Sequence, residues 1–157
     1  MNQWPRAPAD PADPVRPEPP RPVMIAVRLM YAGAALTAIG MILSVVTALG
    51  ARAALKAGHP HATAAQLQST QNFLIIIAVF SGLIEIAIWL LIARANGSGV
   101  KWARIAASVL CAISTWNLVA HLRVGTVATL TYTVVTWLVG LGAVIFLWQR
   151  QSSAYFR

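Results

Sequence analysis

An apolar run, FLIIIAVFSGLIEIAIWLLIA, occupies positions 73–93 and contains one charged side chain, Glu85. A helix needs about 20 apolar residues to cross a hydrocarbon core of about 30 Å, so this run has the length of a membrane span. Three more apolar runs of similar length lie at residues 29–49, 105–122 and 127–148. We therefore predict an all-α fold, an antiparallel membrane bundle of four helices.

The composition supports a membrane protein over a soluble one. Hydrophobic residues make up 58% of the 157 residues and charged residues 10%, whereas soluble domains contain roughly 25% charged residues. Glu85 is the one charged residue within the four runs, and a soluble helix would need a polar face toward water. The single cysteine, Cys111, excludes an internal disulfide, and we interpret it as a small buried hydrophobic residue.

The chain divides into residues 1–23, predicted to be a disordered proline-rich cytoplasmic tail, and residues 24–157, predicted to be the four-helix transmembrane domain. Eight of the nine prolines lie at or before Pro22. A period of three matches polyproline II, and six prolines follow it: Pro5, Pro8, Pro11, Pro14, Pro17 and Pro20. Two interpretations stay open, a docking strip for a proline-binding partner and a disordered spacer.

The basic residues predict the orientation. Lys and Arg are retained on the cytoplasmic side of a span, and the side that carries the termini holds nine of them against three on the other side, Arg52, Lys56 and Arg123. The nine are Arg6, Arg16, Arg21, Arg28, Arg94, Lys101, Arg104, Arg150 and Arg157. We expect a plasma-membrane protein with both termini in the cytoplasm.

Basic and aromatic side chains near the cytoplasmic ends of the spans are expected to anchor the bundle at the lipid interface, in contact with anionic headgroups. These residues are Arg28, Tyr31, Trp89, Arg94, Lys101, Trp102, Arg104, Trp148 and Arg150. The first span is too long, and its leader too long, for a typical signal peptide. We expect it to be retained, although small residues near Gly50 leave cleavage open as the alternative.

The loops predict where helices begin and which helices are neighbours. Thr63 and Gln66 have the spacing of a capping box, so the second long helix should begin near Ala64 and protrude from the bilayer. The residues around Gly97 and Gly125 provide the other two turns. Short connections join antiparallel neighbours, so the second, third and fourth spans should pack in sequence order.

Small residues predict the packing faces, because helices in lipid associate through close backbone approach and interhelical hydrogen bonds. The ridge on the first span consists of Gly33, Thr37, Gly40 and Ser44. The ridge on the third span consists of Ala103, Ala107, Cys111 and Thr115. Two interpretations stay open: the ridges meet each other within one chain, or one of them faces a second copy.

Glu85 is the candidate functional residue. Acids within a membrane span are costly and usually mark an ion, proton or cationic-substrate path. At a helical rise of about 1.5 Å per residue, Thr37, Ser114, Thr115 and Trp137 lie at a similar depth. The alternative is a protonated carboxylic acid that is hydrogen-bonded to Thr37, Ser114 or Trp137. Such a residue would only hold neighbouring helices together, and we call it a packing clamp.

Other chemistry has little support in the sequence. The three histidines, His59, His61 and His121, fall on the outer side without a carboxylate or thiolate to complete a site, so they are weak candidates for a metal. No nucleophile lies beside a plausible base and no phosphate loop is present, so we expect no enzyme and no cofactor. The basic residues are spread over span ends, which argues against nucleic-acid binding.

Two short segments carry a resemblance. They read ARANGSGVKWARI at residues 93–105 and FLWQR at residues 146–150, supported by LMYAG at 29–33 and SAYF at 153–156. In these features the chain resembles small four-span membrane proteins of actinobacteria with proline-rich cytoplasmic tails. The resemblance implies a topology and no activity.

The sequence as a whole favours a structural protein or one accessory to other envelope proteins. The alternative is a small oligomeric transporter or channel subunit that uses Glu85 for proton or cation coupling. A homo-oligomer and a complex with a larger membrane partner both stay open.

Overall fold

The computed structural model describes residues 19–153 and 155–156, with the backbone alone at positions 123 and 124. This part of the chain is helical, which confirms the all-α prediction. Residues 1–18 of the predicted proline-rich tail lie outside the described residues. The helices are α1 (Arg21–Gly50), α2 (Arg52–Gly58), α3 (Ala64–Gly97), α4 (Lys101–Val124), α5 (Val127–Leu147) and α6 (Arg150–Ser153).

Four of these helices, α1, α3, α4 and α5, are long and apolar enough to cross a membrane. They contain the predicted spans, except that α5 ends one residue before the predicted end of the fourth span, so the prediction of a multi-pass membrane protein agrees with the fold. Helix α1 begins at Arg21 rather than at residue 24, because proline is tolerated in the first turn of a helix and Pro22 and Val23 are buried there. Residues 21–23, which the sequence analysis placed in the tail, therefore belong to α1.

The capping box at the start of α3 is confirmed. The Thr63 hydroxyl accepts a hydrogen bond from the backbone N–H of Gln66 at 3.2 Å. The side-chain oxygen of Gln66 accepts one from the backbone N–H of Thr63 at 2.8 Å. These bonds satisfy two of the backbone donors that a helix leaves free at its first turn. Helix α3 accordingly begins at Ala64, as the sequence predicts.

The neighbours of the helices differ from the sequence prediction. Helix α1 lies between α3 and α5, and α4 packs mainly on α5. The expected neighbours α3–α4 and α4–α5 are both in contact, but α3 packs mainly on α1, which the sequence did not predict. The physical reason is the glycines of α1, which let large side chains approach its backbone. Trp89 of α3 lies against Gly33, and Tyr132 of α5 lies against Gly40.

The buried core lies at one end of the bundle. We call this the terminal end, because it holds Arg21, the connection at residues 98–100, and Phe156. The largest fully buried apolar side chains there are Val23, Met30 and Leu147, and Phe156 of the C-terminal segment packs against the same cluster. Toward the opposite end, large apolar side chains such as Val46, Ile76 and Phe80 are exposed. Membrane lipid is the medium that suits such side chains.

Gln71 provides the main polar contact near the opposite end. This side chain is buried, and its amide nitrogen donates hydrogen bonds to the backbone oxygens of Ala48 at 3.0 Å and Leu49 at 2.7 Å. The last carbonyls of a helix have no partner within that helix. Gln71 of α3 therefore caps the last turn of α1, a role that the sequence analysis missed.

We expect Gln71→Leu to destabilise the bundle by about 1–3 kcal/mol, since two hydrogen bonds are lost and each contributes about 0.5–1.5 kcal/mol. Gln68→Leu is the matched control, because Gln68 is exposed and its side chain donates a hydrogen bond to Asn72 on its own helix. The midpoint of thermal unfolding in detergent micelles checks the prediction. Equal midpoints for the two variants would contradict it.

Candidate functional site: a cavity beside Glu85

Glu85 lies near the middle of the apolar run of α3, and its side chain is exposed. Its oxygen Oε1 accepts a hydrogen bond from the Thr37 hydroxyl of α1 at 3.5 Å, which is at the long limit for such a bond. Thr37 itself is buried. One predicted partner is therefore in place, and the carboxyl group remains open on its other side.

The open side of Glu85 faces a cavity of about 250 Å³ between α3 and α4. Met30 of α1 and several residues of α5 form the rest of its wall. Its polar side chains are Glu85, Ser114, Asn117 and Thr136, and the thiol of Cys111 also lines it. Since Glu85, Ile113 and Ser114 are exposed, the cavity opens sideways, toward the surface that would face lipid.

Two tryptophans in the cavity wall are held in place by the bundle. The Trp137 ring nitrogen donates to the Thr115 hydroxyl at 2.9 Å. Trp89 lies between two glycines: a Cβ built on Gly33 would be 2.9 Å from its ring and one on Gly140 would be 3.5 Å from it. The indoles are therefore fixed parts of the wall, which suits them to a defined ligand contact.

The predicted polar group around Glu85 is thus partly assembled. Ser114 and Trp137 line the cavity with it, and Thr37 bonds to it. Thr115 bonds to Trp137 instead, and it donates to the Cys111 carbonyl of its own helix at 2.8 Å. Counting depth along the spans brought these residues to the same level, but it could not give the rotation of each helix.

Tyr132 is a member of the site that the sequence analysis missed. Its hydroxyl donates to the Leu36 carbonyl of α1 at 3.5 Å, and it lies near Thr37 and Glu85. The ring covers Gly40, where a Cβ would overlap it. The signal in the sequence was the presence of glycines on the first span, which let a large side chain of another helix approach closely.

The two small-residue ridges do not meet. Among the described residues α1 and α4 do not pack against each other, because α5 packs on both of them. In the first ridge Gly33, Thr37 and Gly40 face α3 or α5, while Ser44 is exposed. In the second ridge Ala103 and Ala107 are buried, Cys111 is half-buried and Thr115 bonds to α5.

The C-terminal segment covers the terminal end, on the far side of the buried core from the cavity. The Arg104 guanidinium lies over the Trp148 ring at 3.8 Å and donates to the Ser153 hydroxyl at 3.3 Å. The Tyr155 hydroxyl donates to the Gly97 carbonyl at 2.6 Å. Gly99 has φ 71° and lies close to Tyr155, and glycine tolerates that conformation. Arg104 is therefore engaged at the terminal end and does not pair with Glu85.

The residues predicted at the lipid interface fall into two groups. Most are exposed at the terminal end: Arg28, Tyr31, Arg94, Lys101, Trp102, Trp148 and Arg150. The other two, Trp89 and Arg104, differ from the prediction, because Trp89 is packed between glycines and Arg104 is partly buried against the C-terminal segment. Glycine on the facing helices explains why an aromatic ring lies inside the bundle.

The histidines do not form one group. His59 and His61 line a surface depression between α2 and α3, where Lys56 donates to the carbonyls of Pro60 and Ala62. His121 lies on α4, and its Nδ1 is 2.8 Å from the Asn117 carbonyl oxygen. In the described part of the chain, no three His, Cys, Asp or Glu residues lie close enough to hold a metal ion.

No family model, curated protein or solved structure matches the chain. The function must therefore be inferred from the site itself.

Proposed function

We propose that this multi-pass membrane protein binds a cation at Glu85 and acts as a small transporter or channel subunit without catalysing a chemical conversion. The observation that carries the proposal is the exposed Glu85 side chain, which lines a cavity of about 250 Å³. A packing clamp would be buried and fully hydrogen-bonded, because an unpaired polar group in an apolar medium is costly. Glu85 instead has one long hydrogen bond, to Thr37.

The charge around the site supports a cationic ligand. Acids within membrane spans usually pair with a base or mark an ion path. The two basic residues nearest to Glu85 in depth, Arg28 and Arg104, lie at the terminal end, where Arg28 is exposed and Arg104 is stacked on Trp148. Neither Arg28 nor Arg104 is thus a counter-ion for Glu85, and a bound cation would provide one.

We further propose that the protein resides in the plasma membrane with both termini in the cytoplasm. The support is the distribution of Lys and Arg, which follows the positive-inside rule. The exposed side chains of Arg21, Arg94, Lys101 and Arg150 cluster at the terminal end of the bundle. Anionic lipid headgroups on the cytoplasmic side would attract these residues.

The test is a flux measurement in proteoliposomes. Gradients of K⁺, Mg²⁺ and a quaternary ammonium ion are imposed in turn, and cation and proton movements are followed. We expect the wild-type protein to carry at least one of these cations and Glu85→Gln to fall to the rate of empty liposomes, because the amide cannot balance the charge. Glu18→Gln is the matched control, since it removes the same charge from outside the four spans.

Two outcomes would contradict the proposal: wild-type flux no higher than that of empty liposomes for every cation, or equal flux in wild type and Glu85→Gln. The Glu85→Asp variant guards against misfolding as an explanation. It keeps the charge, so it should retain part of the flux.

A second candidate function is that of an accessory subunit that binds a larger membrane partner. The observation in its favour is the exposure of α4, because only 6% of the residues in its most apolar stretch are buried within the chain. Its Trp116 side chain is 75% exposed, and aromatic residues are common at protein interfaces. Crosslinking in native membranes separates the two candidates: a homo-oligomer favours transport, and one copy linked to a larger protein favours the accessory role.

A further inference from the structure

We infer that the ligand of the Glu85 cavity is an amphiphilic organic monocation that enters sideways from the bilayer, between α3 and α4. This inference rests on the proposed function and names the class of ligand. It follows from the charge of the site, the chemistry of its wall and the position of its opening.

The charge of the site fits one positive charge. Glu85 is the single charged residue in the four apolar runs, so a monovalent cation leaves the site neutral. A divalent ion would leave an uncompensated charge in a medium where charge is costly.

The wall fits an organic cation better than a bare metal ion. Calcium takes 6–8 oxygen ligands and magnesium keeps an octahedral shell of oxygens. The cavity offers one carboxylate together with the side chains of Ser114, Asn117 and Thr136, and most backbone oxygens of the helices are used within them. The Trp137 indole in the wall provides the aromatic surface that attracts ammonium groups.

The position of the opening determines the route. On the side toward the terminal end, the buried side chains of Met30 and Leu147 close the cavity. The open side is bordered by Ile88 and Ile113, which are exposed. In a membrane these residues would face lipid, which a hydrated inorganic ion avoids and an amphiphilic cation enters.

The binding experiment uses the full-length protein in lipid nanodiscs, with empty nanodiscs as the background. The probe is benzyltrimethylammonium. Its neutral counterpart is neopentylbenzene, in which a carbon atom replaces the charged nitrogen in the same shape. We expect saturable calorimetric binding of benzyltrimethylammonium, a loss of affinity of about tenfold to a hundredfold in Glu85→Gln, and no difference between the two proteins for neopentylbenzene.

The aromatic contact is tested with a matched pair of variants. Trp137→Leu should weaken benzyltrimethylammonium binding by about fivefold to thirtyfold, the usual range for a cation over a desolvated ring. Trp102→Leu should leave the affinity unchanged, because Trp102 is 52% exposed and lies outside the cavity. Equal affinities for these two variants would overturn the aromatic contact.

A second measurement needs no variant. Cys111 is the single cysteine of the chain and lines the cavity, so benzyltrimethylammonium should slow its alkylation by N-ethylmaleimide, whereas K⁺ should not. If K⁺ binds and benzyltrimethylammonium does not, while Glu85→Gln still abolishes K⁺ flux, this inference fails and the proposed function stands. If no cation binds and none is carried, both fail.

Discussion

Gly33→Leu should destabilise the bundle by about 1–3 kcal/mol, the usual cost of overpacking a close-packed site. A Cβ at position 33 would lie 2.9 Å from two carbons of the Trp89 indole, and leucine adds three more carbon atoms. The indole has little room to withdraw, because its other side lies near Gly140. The helices α1 and α3 would therefore have to separate, and the cavity wall would be displaced with them.

Gly50→Leu is the matched control for this prediction. It introduces the same side chain into the same helix, but a Cβ at Gly50 would have nothing within 4 Å. Leucine is the better helix former, so propensity does not explain a loss of stability at position 33. The measurement is the midpoint of heat-induced labelling of Cys111 by a thiol-reactive fluorophore in detergent.

The two variants should separate clearly, with the midpoint lowered for Gly33→Leu and close to wild type for Gly50→Leu. The double variant Gly33→Leu/Trp89→Ala should recover part of the loss, because it removes the ring that the leucine overlaps. If Gly33→Leu is as stable as Gly50→Leu, the close contact of Trp89 with α1 is not a determinant of the fold.

The number of spanning helices and the start of α3 could be predicted because they depend on local signals. Charge is costly in lipid, so the spans are recognised as runs almost free of charged residues. The start of α3 is recognised from Thr63, whose hydroxyl bonds to the residue three positions later. The order of packing is different. Lipid is as apolar as the side chains, so α1 and α3 show no strong polar face that would reveal which side contacts protein.

The site was predicted in part for the same reason. Glu85 stands out as a charge, and a helical rise of about 1.5 Å per residue brings Thr37 and Trp137 to its depth. Rotation about each helix axis is set by shape, chiefly by aromatic rings that fill the space above glycines. That is why Trp89 was expected at the lipid surface and lies in the cavity wall, and why Tyr132 was missed.

Leu147→Ala should destabilise the bundle by about 2–5 kcal/mol, the range for deleting a large buried aliphatic side chain. Leu147 is fully buried at the terminal end, in the cluster that includes Val23, Met30 and Phe156. This cluster joins α1, α3, α4, α5 and the C-terminal segment. A cavity at its centre would weaken contacts between most of the helices.

Leu138→Ala on the same helix is the matched control, since Leu138 is 53% exposed. Lipid tails solvate an aliphatic side chain about as well as other apolar side chains do, so this change should cost less than about 1 kcal/mol. Unfolding midpoints followed by Cys111 labelling distinguish the two variants. Equal losses would mean that the buried cluster at the terminal end contributes no more than the lipid-facing surface.

Leu147→Ala should also change access to the cavity beside Glu85. Met30, Ala143 and Val144 line the cavity and also belong to the buried cluster or pack against it, so Leu147 lies in the layer that closes the cavity toward the terminal end. Below the unfolding temperature, Leu147→Ala should therefore let a water-soluble thiol reagent applied from the terminal side reach Cys111 faster, while Leu138→Ala should not. A rate unchanged by Leu147→Ala would mean that another part of the bundle closes the cavity.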